Sequence, residues 1–293
     1  VADHNFDVVI LGGGSGGYAA ALRSAQLGKS VALIEKDKLG GTCLHRGCIP
    51  TKALLHSAEI ADNVREAGHF GVNATFGSID MLGVNKYRDG IIDRLFKGLT
   101  GLVGSKDITV VAGEGRLVGP KTVQVNGDNY TGTNVILASG SYSRSLPGLE
   151  IGGRVITSEH ALQLDFVPGK VIVLGGGVIG VEFASIWRSF GAEVTIVEGL
   201  PSLVPNEDPA VSKALERAFR KMLRRLSEAN VQNPDLEFML WHNLGLIYRD
   251  RLQDTSSAIE AFKMATRFKP DAQILEDTNF HYDTLVGRMR ELA

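Results

Sequence analysis

The residues with the most chemistry lie in one short stretch, Gly40-Gly41-Thr42-Cys43-Leu44-His45-Arg46-Gly47-Cys48-Ile49-Pro50-Thr51-Lys52. Cys43 and Cys48 are the only two cysteines of the chain and lie five residues apart. Pro50 falls where a first helical turn would begin. A cysteine near a helix N-terminus has a lowered pKa, because the dipole favours thiolate. Thiolate is the form that attacks disulfides, so the pair reads as a redox couple. Two other readings stand beside it. One is a pair of ordinary buried thiols, and the other is a metal site using Cys43, His45 and Cys48. Two cysteines exclude a disulfide scaffold and a four-cysteine zinc site.

Two glycine motifs flank this stretch. Gly12-x-Gly14-x-x-Gly17 follows a run of strand-forming residues (FDVVIL) and opens a helical stretch, and Glu35 lies 23 residues beyond Gly12. The first glycine permits a tight turn, the second lets backbone approach a pyrophosphate, and the third lets helix and strand pack closely. The helix N-terminus offers free N–H groups and a positive dipole to phosphate, and Glu35 can bind ribose hydroxyls. The alternative is a plain glycine turn. Gly175-x-Gly177-x-x-Gly180 repeats the theme, with Glu198 again 23 residues past the first glycine. An acid at this strand end favours NAD, because a 2′-phosphate would meet like charge there.

The elements that must position these residues alternate strand and helix. Strands are predicted at Phe6–Leu11, Ser30–Ile34, Asn134–Ala138, from Lys170 and at Glu193–Val197. Helices are predicted up to about Leu27, over Ile49–Ala67, from Asn85 to about Val103, up to about Phe190 and over Asp208–Arg220. Ile108–Ala112, Arg116–Val118 and Thr122–Val125 read as a small antiparallel layer between Gly/Pro/Asn turns. Two βαβ units with apolar strands indicate an α/β fold with parallel sheet.

The 293 residues carry a net charge of −2, which excludes a strongly basic nucleic-acid binder. The apolar stretch Val171–Trp187 is too short to span a membrane and holds four glycines and Glu182. No signal peptide is read at the first residues, so a cytoplasmic, reducing setting is the default expectation.

GGTCLHRGCIPTK resembles the active-site signature of the flavin-dependent pyridine nucleotide–disulfide oxidoreductases. The wider run CLHRGCIPTKALLHSAEIAD is most similar to the bacterial dihydrolipoamide dehydrogenase branch. The resemblance covers residues 1 to about 221. It implies an FAD-binding Rossmann-like domain over 1–149 and part of an NAD-binding Rossmann-like domain over 150–221. It implies FAD at Gly12, Gly14, Gly17 and Glu35, and NAD at Gly175, Gly177, Gly180 and Glu198. Cys48 would be the sulfur next to the flavin, and Cys43 the interchange thiol that meets lipoamide or a lipoyl protein. Lys52 would sit near the flavin N5 and pair with Glu182, a carboxylate that an otherwise apolar helix needs a partner for. Thr42 and the Gly113–Gly115 turn would contact FAD through backbone. Ala138-Ser139-Gly140 matches the family's ATG element, with Ser for Thr.

The match stops near Lys221. The expectation is that the remaining NAD-domain strands, the returning FAD segment and the dimerisation domain with its His–Glu base are not in this sequence, and that turnover is impaired. General acid–base help is worth ~10²–10⁴ in rate. Composition changes at the same place: residues 222–293 hold only Gly245 and Gly287 of the 35 glycines. Trp241, Leu244, Gly245 and Tyr248, then Ala258, Phe262, Ala265 and Pro270, resemble one tetratricopeptide repeat. A helical-hairpin tail over 222–293 follows, with a further capping helix at Asp271–Leu292 and a protein as its partner. No tail histidine (His242, His281) sits in a motif that replaces the missing base. The alternative is a composite chain, joined near Met222, that acts only through this repeat. One helix from about Pro209 through Ala229 would bridge the seam.

Overall fold

The computed structural model describes residues 1–145, 148–227 and 263. They fall into two compact units: Val1–Val171 with Glu182–Val194, and Ile172–Val181 with the chain from Thr195. The repeat-like residues Trp241 to Pro270, the expected capping helix and both tail histidines lie outside the described residues.

In the first unit β1 (Asp3–Leu11) leads into α1 (Ser15–Gln26) and β2 (Val31–Glu35). A short α2 (Gly41–Arg46) and a long α3 (Cys48–Glu66) follow, then a 3₁₀ turn at Ala67–Phe70 and α4 (Met81–Gly104). Next come β3 (Ile108–Ala112), β4 (Arg116–Gly119), β5 (Thr122–Val125) and β6 (Asp128–Leu137), and a one-turn α5 (Ser158–Ala161). The six strands form one sheet in the order β3-β2-β1-β6-β5-β4. The first four are mutually parallel, and β5 and β4 are added antiparallel.

Alternation along the central strands explains why both faces are buried. Val8, Ile10, Val31 and Leu33 point to one side, against Ala21 of α1 and Val103 of α4. Val9, Ala32 and Ile34 point to the other, where Val123 and Val125 of β5 close over them.

Three further elements carry the second glycine motif: β7 (Lys170–Leu174), α6 (Val178–Phe190) and β8 (Glu193–Val197). The two strands form a separate sheet. The C-terminal part of α6 belongs to the first unit. There Phe183, Ile186, Trp187 and Phe190 share a core with Leu54 and Ala58 of α3 and Met81 of α4. Polar contacts reinforce it: the Ser189 hydroxyl donates to Asp62 at 2.5 Å and Arg65 donates to the Ser189 carbonyl at 2.6 Å. α7 (Pro209–Ser227) closes the described chain.

Several elements differ from expectation for physical reasons. Ile108–Ala112 is not part of an antiparallel layer; it pairs parallel with β2 at the sheet edge. The crossover through α2, α3 and α4 makes that direction natural. β1 and β6 both start earlier than their apolar runs, because Asp3, His4 and Asn5 pair with Asn129, Tyr130 and Thr131. α4 begins at Met81 rather than Asn85, since Met81 is buried in the α3–α6 core. α2 was not among the expected elements; it starts where Gly40 and Gly41 adopt positive φ values of 106° and 57°. α7 runs past Arg220 to Ser227, as a helix bridging position 222 requires.

Leu54 has no exposed surface and sits at the centre of the α3–α6 core. Leu54→Ala is expected to lower the unfolding free energy by about 2–5 kcal/mol. Urea unfolding followed by far-ultraviolet circular dichroism and by the fluorescence of buried Trp187 measures it.

Candidate functional site

The first glycine turn is built from contacts that only glycine allows. Gly12 has a φ of +107°, and a Cβ there would lie 2.1 Å from the Ala138 carbonyl oxygen. A Cβ on Gly17 would lie 1.7 Å from the Gly12 oxygen, so α1 rests directly on the turn. Gly14 is different: the nearest atom to its Cβ position is Gly41 Cα at 3.8 Å. Its backbone is therefore approachable, and no side chain caps α1. The first N–H groups of that helix have no partner within it.

Glu35, at the end of β2, braces the turn. Its Oε2 accepts the Gly13 N–H at 2.6 Å and its Oε1 the Asp37 N–H at 2.8 Å. The Gly113 N–H donates to the Glu35 carbonyl at 2.9 Å, which brings the Gly113–Gly115 turn to the same strand end. A Cβ on Gly115 would lie 2.6 Å from Leu11 Cδ1, so this turn also needs its glycine. Ala138 joins through its own N–H, which donates to the Leu11 carbonyl at 2.8 Å. Ser139 and Gly140 follow it, exposed.

The cysteine segment is docked on this turn. The Gly40 N–H donates to the Gly13 carbonyl at 2.9 Å. Gly41 packs on Gly14 so closely that a Cβ would lie 2.7 Å from Gly14 Cα. α2 then carries exposed Thr42 and half-buried Cys43, and α3 begins at exposed Cys48. Both cysteines are free thiols. Hydrogen bonding with the Cys48 side chain is the main reason why the Cys43 thiol is pushed up from its ordinary pKa. Burial and the charge of Cys48 act the same way, while a backbone contact with Cys48 and the Lys52 cation pull against them. For Cys43 the helix-end argument for a lowered pKa therefore loses to its partner thiol.

Cys43, His45 and Cys48 do not form a metal-ligand cluster. Among the described residues no group of three or more His, Cys, Asp or Glu side chains could hold a metal ion. His45 is engaged elsewhere, with Nε2 2.8 Å from the Leu39 carbonyl.

One turn along α3 from Cys48, Lys52 Nζ donates to Glu182 Oε1 at 2.5 Å. Lys52 is 61% exposed and Glu182 28%, so the pair adds little stability. What it does is fix a cation beside the cysteine pair. The packed α3–α6 core supplies the approach.

The second glycine motif repeats the first within its own unit. Glu198 Oε2 accepts the Gly176 N–H at 2.7 Å and its Oε1 the Leu200 N–H at 2.8 Å. A Cβ on Gly180 would lie 2.0 Å from the Gly175 oxygen. Gly177, like Gly14, has open space at its Cβ position. One difference stands out: among the described residues nothing lies within 4 Å of the Cβ position of Gly175, whereas Gly12 is backed by Ala138.

Comparison with known proteins decides the family. The family model described as pyridine nucleotide-disulphide oxidoreductase matches residues 6–232. The chain belongs to that family. Among relatives, dihydrolipoyl dehydrogenase of Bacillus subtilis (strain 168) is 46% identical over 230 residues, covering 74% of this chain and 48% of the relative. Dihydrolipoyl dehydrogenase of Chlorobaculum parvum is 44% identical over 223 residues, covering 74% of this chain and 48% of the relative. A solved structure, the Cu(II) complex of the HOCl-induced flavoprotein disulfide reductase RclA from Escherichia coli, matches with a TM-score of 0.61 and 29% identity. It covers 73% of this chain and 47% of that one. The chain thus spans about half the length of the curated relatives it matches. Among the described residues no helix is long and apolar enough to cross a membrane.

Reading by motif singled out the glycines, the acids, the cysteines, Lys52 and Glu182, and the structure brings Lys52 and Glu182 into contact. It gave no role to Thr51, whose Oγ1–H and N–H both donate to the Gly47 carbonyl, at 2.7 and 3.0 Å. A threonine four residues after a glycine at a helix start is the signal that was there to use. Nor did it assign a role to Asp37, which pairs with Arg46 at 3.0 Å.

Removing the partner thiol tests the electrostatics of the pair. In Cys48→Ala the largest cause of the upward Cys43 shift disappears. Below its pKa Cys43 is the unreactive thiol, so its half-maximal alkylation by iodoacetamide should move to lower pH in the variant. A profile that stays in place or moves up would contradict the shared hydrogen bond.

Proposed function

We propose that this chain is an FAD-holding dithiol–disulfide oxidoreductase of the dihydrolipoyl dehydrogenase kind. One observation carries the reading: two free thiols, at α2 and at the start of α3, sit on a segment docked directly against a glycine-rich dinucleotide turn. On this reading Gly12, Gly14, Gly17 and Glu35 hold the adenosine and pyrophosphate of FAD. Thr42, the Gly113–Gly115 turn and Ala138-Ser139-Gly140 line its path through backbone. The open backbone at Gly14, the uncapped start of α1 and the doubly held Glu35 carboxylate all fit such a ligand. Gly175, Gly177, Gly180 and Glu198 are the matching NAD site, and the acid at Glu198 disfavours a 2′-phosphate.

The reaction is dihydrolipoamide plus NAD⁺ to lipoamide, NADH and a proton. The substrate is lipoamide or a lipoyl-bearing protein. Its dithiol gives two electrons and two protons, and the Cys43–Cys48 disulfide is reduced to the thiol pair. Cys43 is the sulfur that forms and breaks the mixed disulfide with substrate, and Cys48 is the flavin-side thiolate. When bound, FAD supplies two-electron transfer between that sulfur and nicotinamide. Lys52, held by Glu182, presents positive charge where negative charge builds up on transfer.

Two measurements test this. Purified protein carrying FAD should lose its flavin absorbance near the visible maximum when a dithiol is added without oxygen. Cys48→Ser should abolish that bleaching, and a variant that bleaches like the wild type would remove the redox pair from the reading. Glu198→Ala should weaken NADH binding about tenfold or more, the worth of a hydrogen bond to a charged group, and leave FAD binding nearly unchanged. Equal losses for both ligands would sink the assignment of the two sites.

A further inference from the structure

The clearest unassigned feature near the cysteines is how α2 is held in place. It has six residues, too few for a helix to persist on its own. Its start is fixed by Gly41 against Gly14. The cysteine that follows it is fixed independently, because Thr51 anchors Gly47 and α3 is tied into the buried core around Leu54. The far end of α2 rests on three side chains. Leu44 is buried but non-directional, since its contact with Gly40 is apolar. Arg46 reaches Asp37 across open surface, with side chains 43% and 55% exposed, and such pairs are weak.

His45 is the directional contact. Its Nε2 lies 2.8 Å from the Leu39 carbonyl, so that nitrogen carries the proton and donates it. Its ring meets Phe96 of α4 edge-on, with centroids 5.2 Å apart. Leu39 is itself packed in place: its side chain is buried against the first glycine turn. The imidazole therefore connects the cysteine helix to the platform that faces the dinucleotide.

We propose that His45 is a positioning residue of the cysteine pair: by donating to the Leu39 carbonyl it holds α2, and so Cys43, where its sulfur meets that of Cys48, and thereby favours disulfide closure. The physical reason is effective concentration. Two thiols held in contact close with less loss of freedom than two thiols of which one rides on a loose turn. The inference rests on the redox reading above.

The test is a thiol–disulfide titration of the full chain in glutathione buffers at one fixed pH. Glutathione disulfide is reduced to two glutathione molecules as Cys43 and Cys48 are oxidised, and the remaining thiols are counted by alkylation and mass. Three variants separate the causes. His45→Phe keeps a ring against Phe96 but cannot donate, His45→Gln keeps a donor without the ring, and His45→Ala keeps neither. The expectation is a disulfide about three- to tenfold less favoured in His45→Phe and His45→Ala, with His45→Gln nearer the wild type. Should His45→Ala fail to fold, the Phe and Gln variants carry the comparison alone. A His45→Phe midpoint equal to wild type, or a His45→Gln midpoint equal to that of His45→Phe, overturns the proposal while leaving the redox pair standing. A wild-type chain that forms no disulfide at any ratio overturns the redox reading and this inference with it.

Discussion

The arrangement depends on the contact between two glycine turns. Gly13 accepts a hydrogen bond from Gly40, and Gly41 meets Gly14 with no room for a side chain on Gly41. The first turn ends the central strand of the sheet, and the second starts the helix that carries Cys43. Any residue larger than glycine at position 41 would push the cysteine segment off the turn. Proximity of the thiols to a dinucleotide is thus decided in the backbone. Side chains around it then refine position and charge.

That division of labour explains why weak surface contacts recur at the site. Lys52 with Glu182 and Arg46 with Asp37 are exposed pairs that contribute little to stability. Stability comes from elsewhere, from the two faces of the β1–β2 sheet and from the α3–α6 core. Freed from that task, the charged pairs can set where a cation stands. Lys52 is one helical turn from Cys48 and already acts on Cys43, pulling its pKa against the effect of the partner thiol. Two opposing influences on one sulfur leave its reactivity sensitive to both.

Much of this was legible in the residues. Gly12, Gly14, Gly17 and Glu35 predicted strand, turn, helix and acid in order, because each residue type answers a backbone requirement that does not depend on distant contacts. The pairing of Lys52 with Glu182 came from the family resemblance, to which the oddness of a carboxylate in an apolar helix only lent support. Elements fixed by distant partners were not legible. Ile108–Ala112 gives no local sign that it joins β2, since strand direction is set by the crossover and not by the five residues. Asp3, His4 and Asn5 look like a polar leader until β6 pairs with them. α2 hides behind two glycines whose positive φ values are needed for docking. The direction of the Cys43 shift required knowing that its sulfur touches Cys48, which spacing alone does not give.

The two nucleotide turns, finally, show how one local design behaves in two settings. Each has a glutamate that accepts one backbone N–H from the turn and one from the segment after the strand, with matching distances. Each has a third glycine pressed on the carbonyl of the first. These features are internal to strand–turn–helix–strand and survive in both. What differs is support from the neighbouring strand. Val9 and Ile10 of β1 are fully buried, because β2 and β6 flank the strand and its faces are covered. Ile172 and Leu174 of β7 are nearly half exposed, and among the described residues β7 pairs with β8 alone. Ala138 backs Gly12, and among the described residues nothing comparable backs Gly175. A glycine with free space around it can change φ at little cost, whereas one wedged against a carbonyl cannot. The first turn is therefore braced by Glu35 and by β6, and the second by Glu198, by the Val204 N–H donated to the Gly176 carbonyl and by the Leu203 side chain beside Gly176.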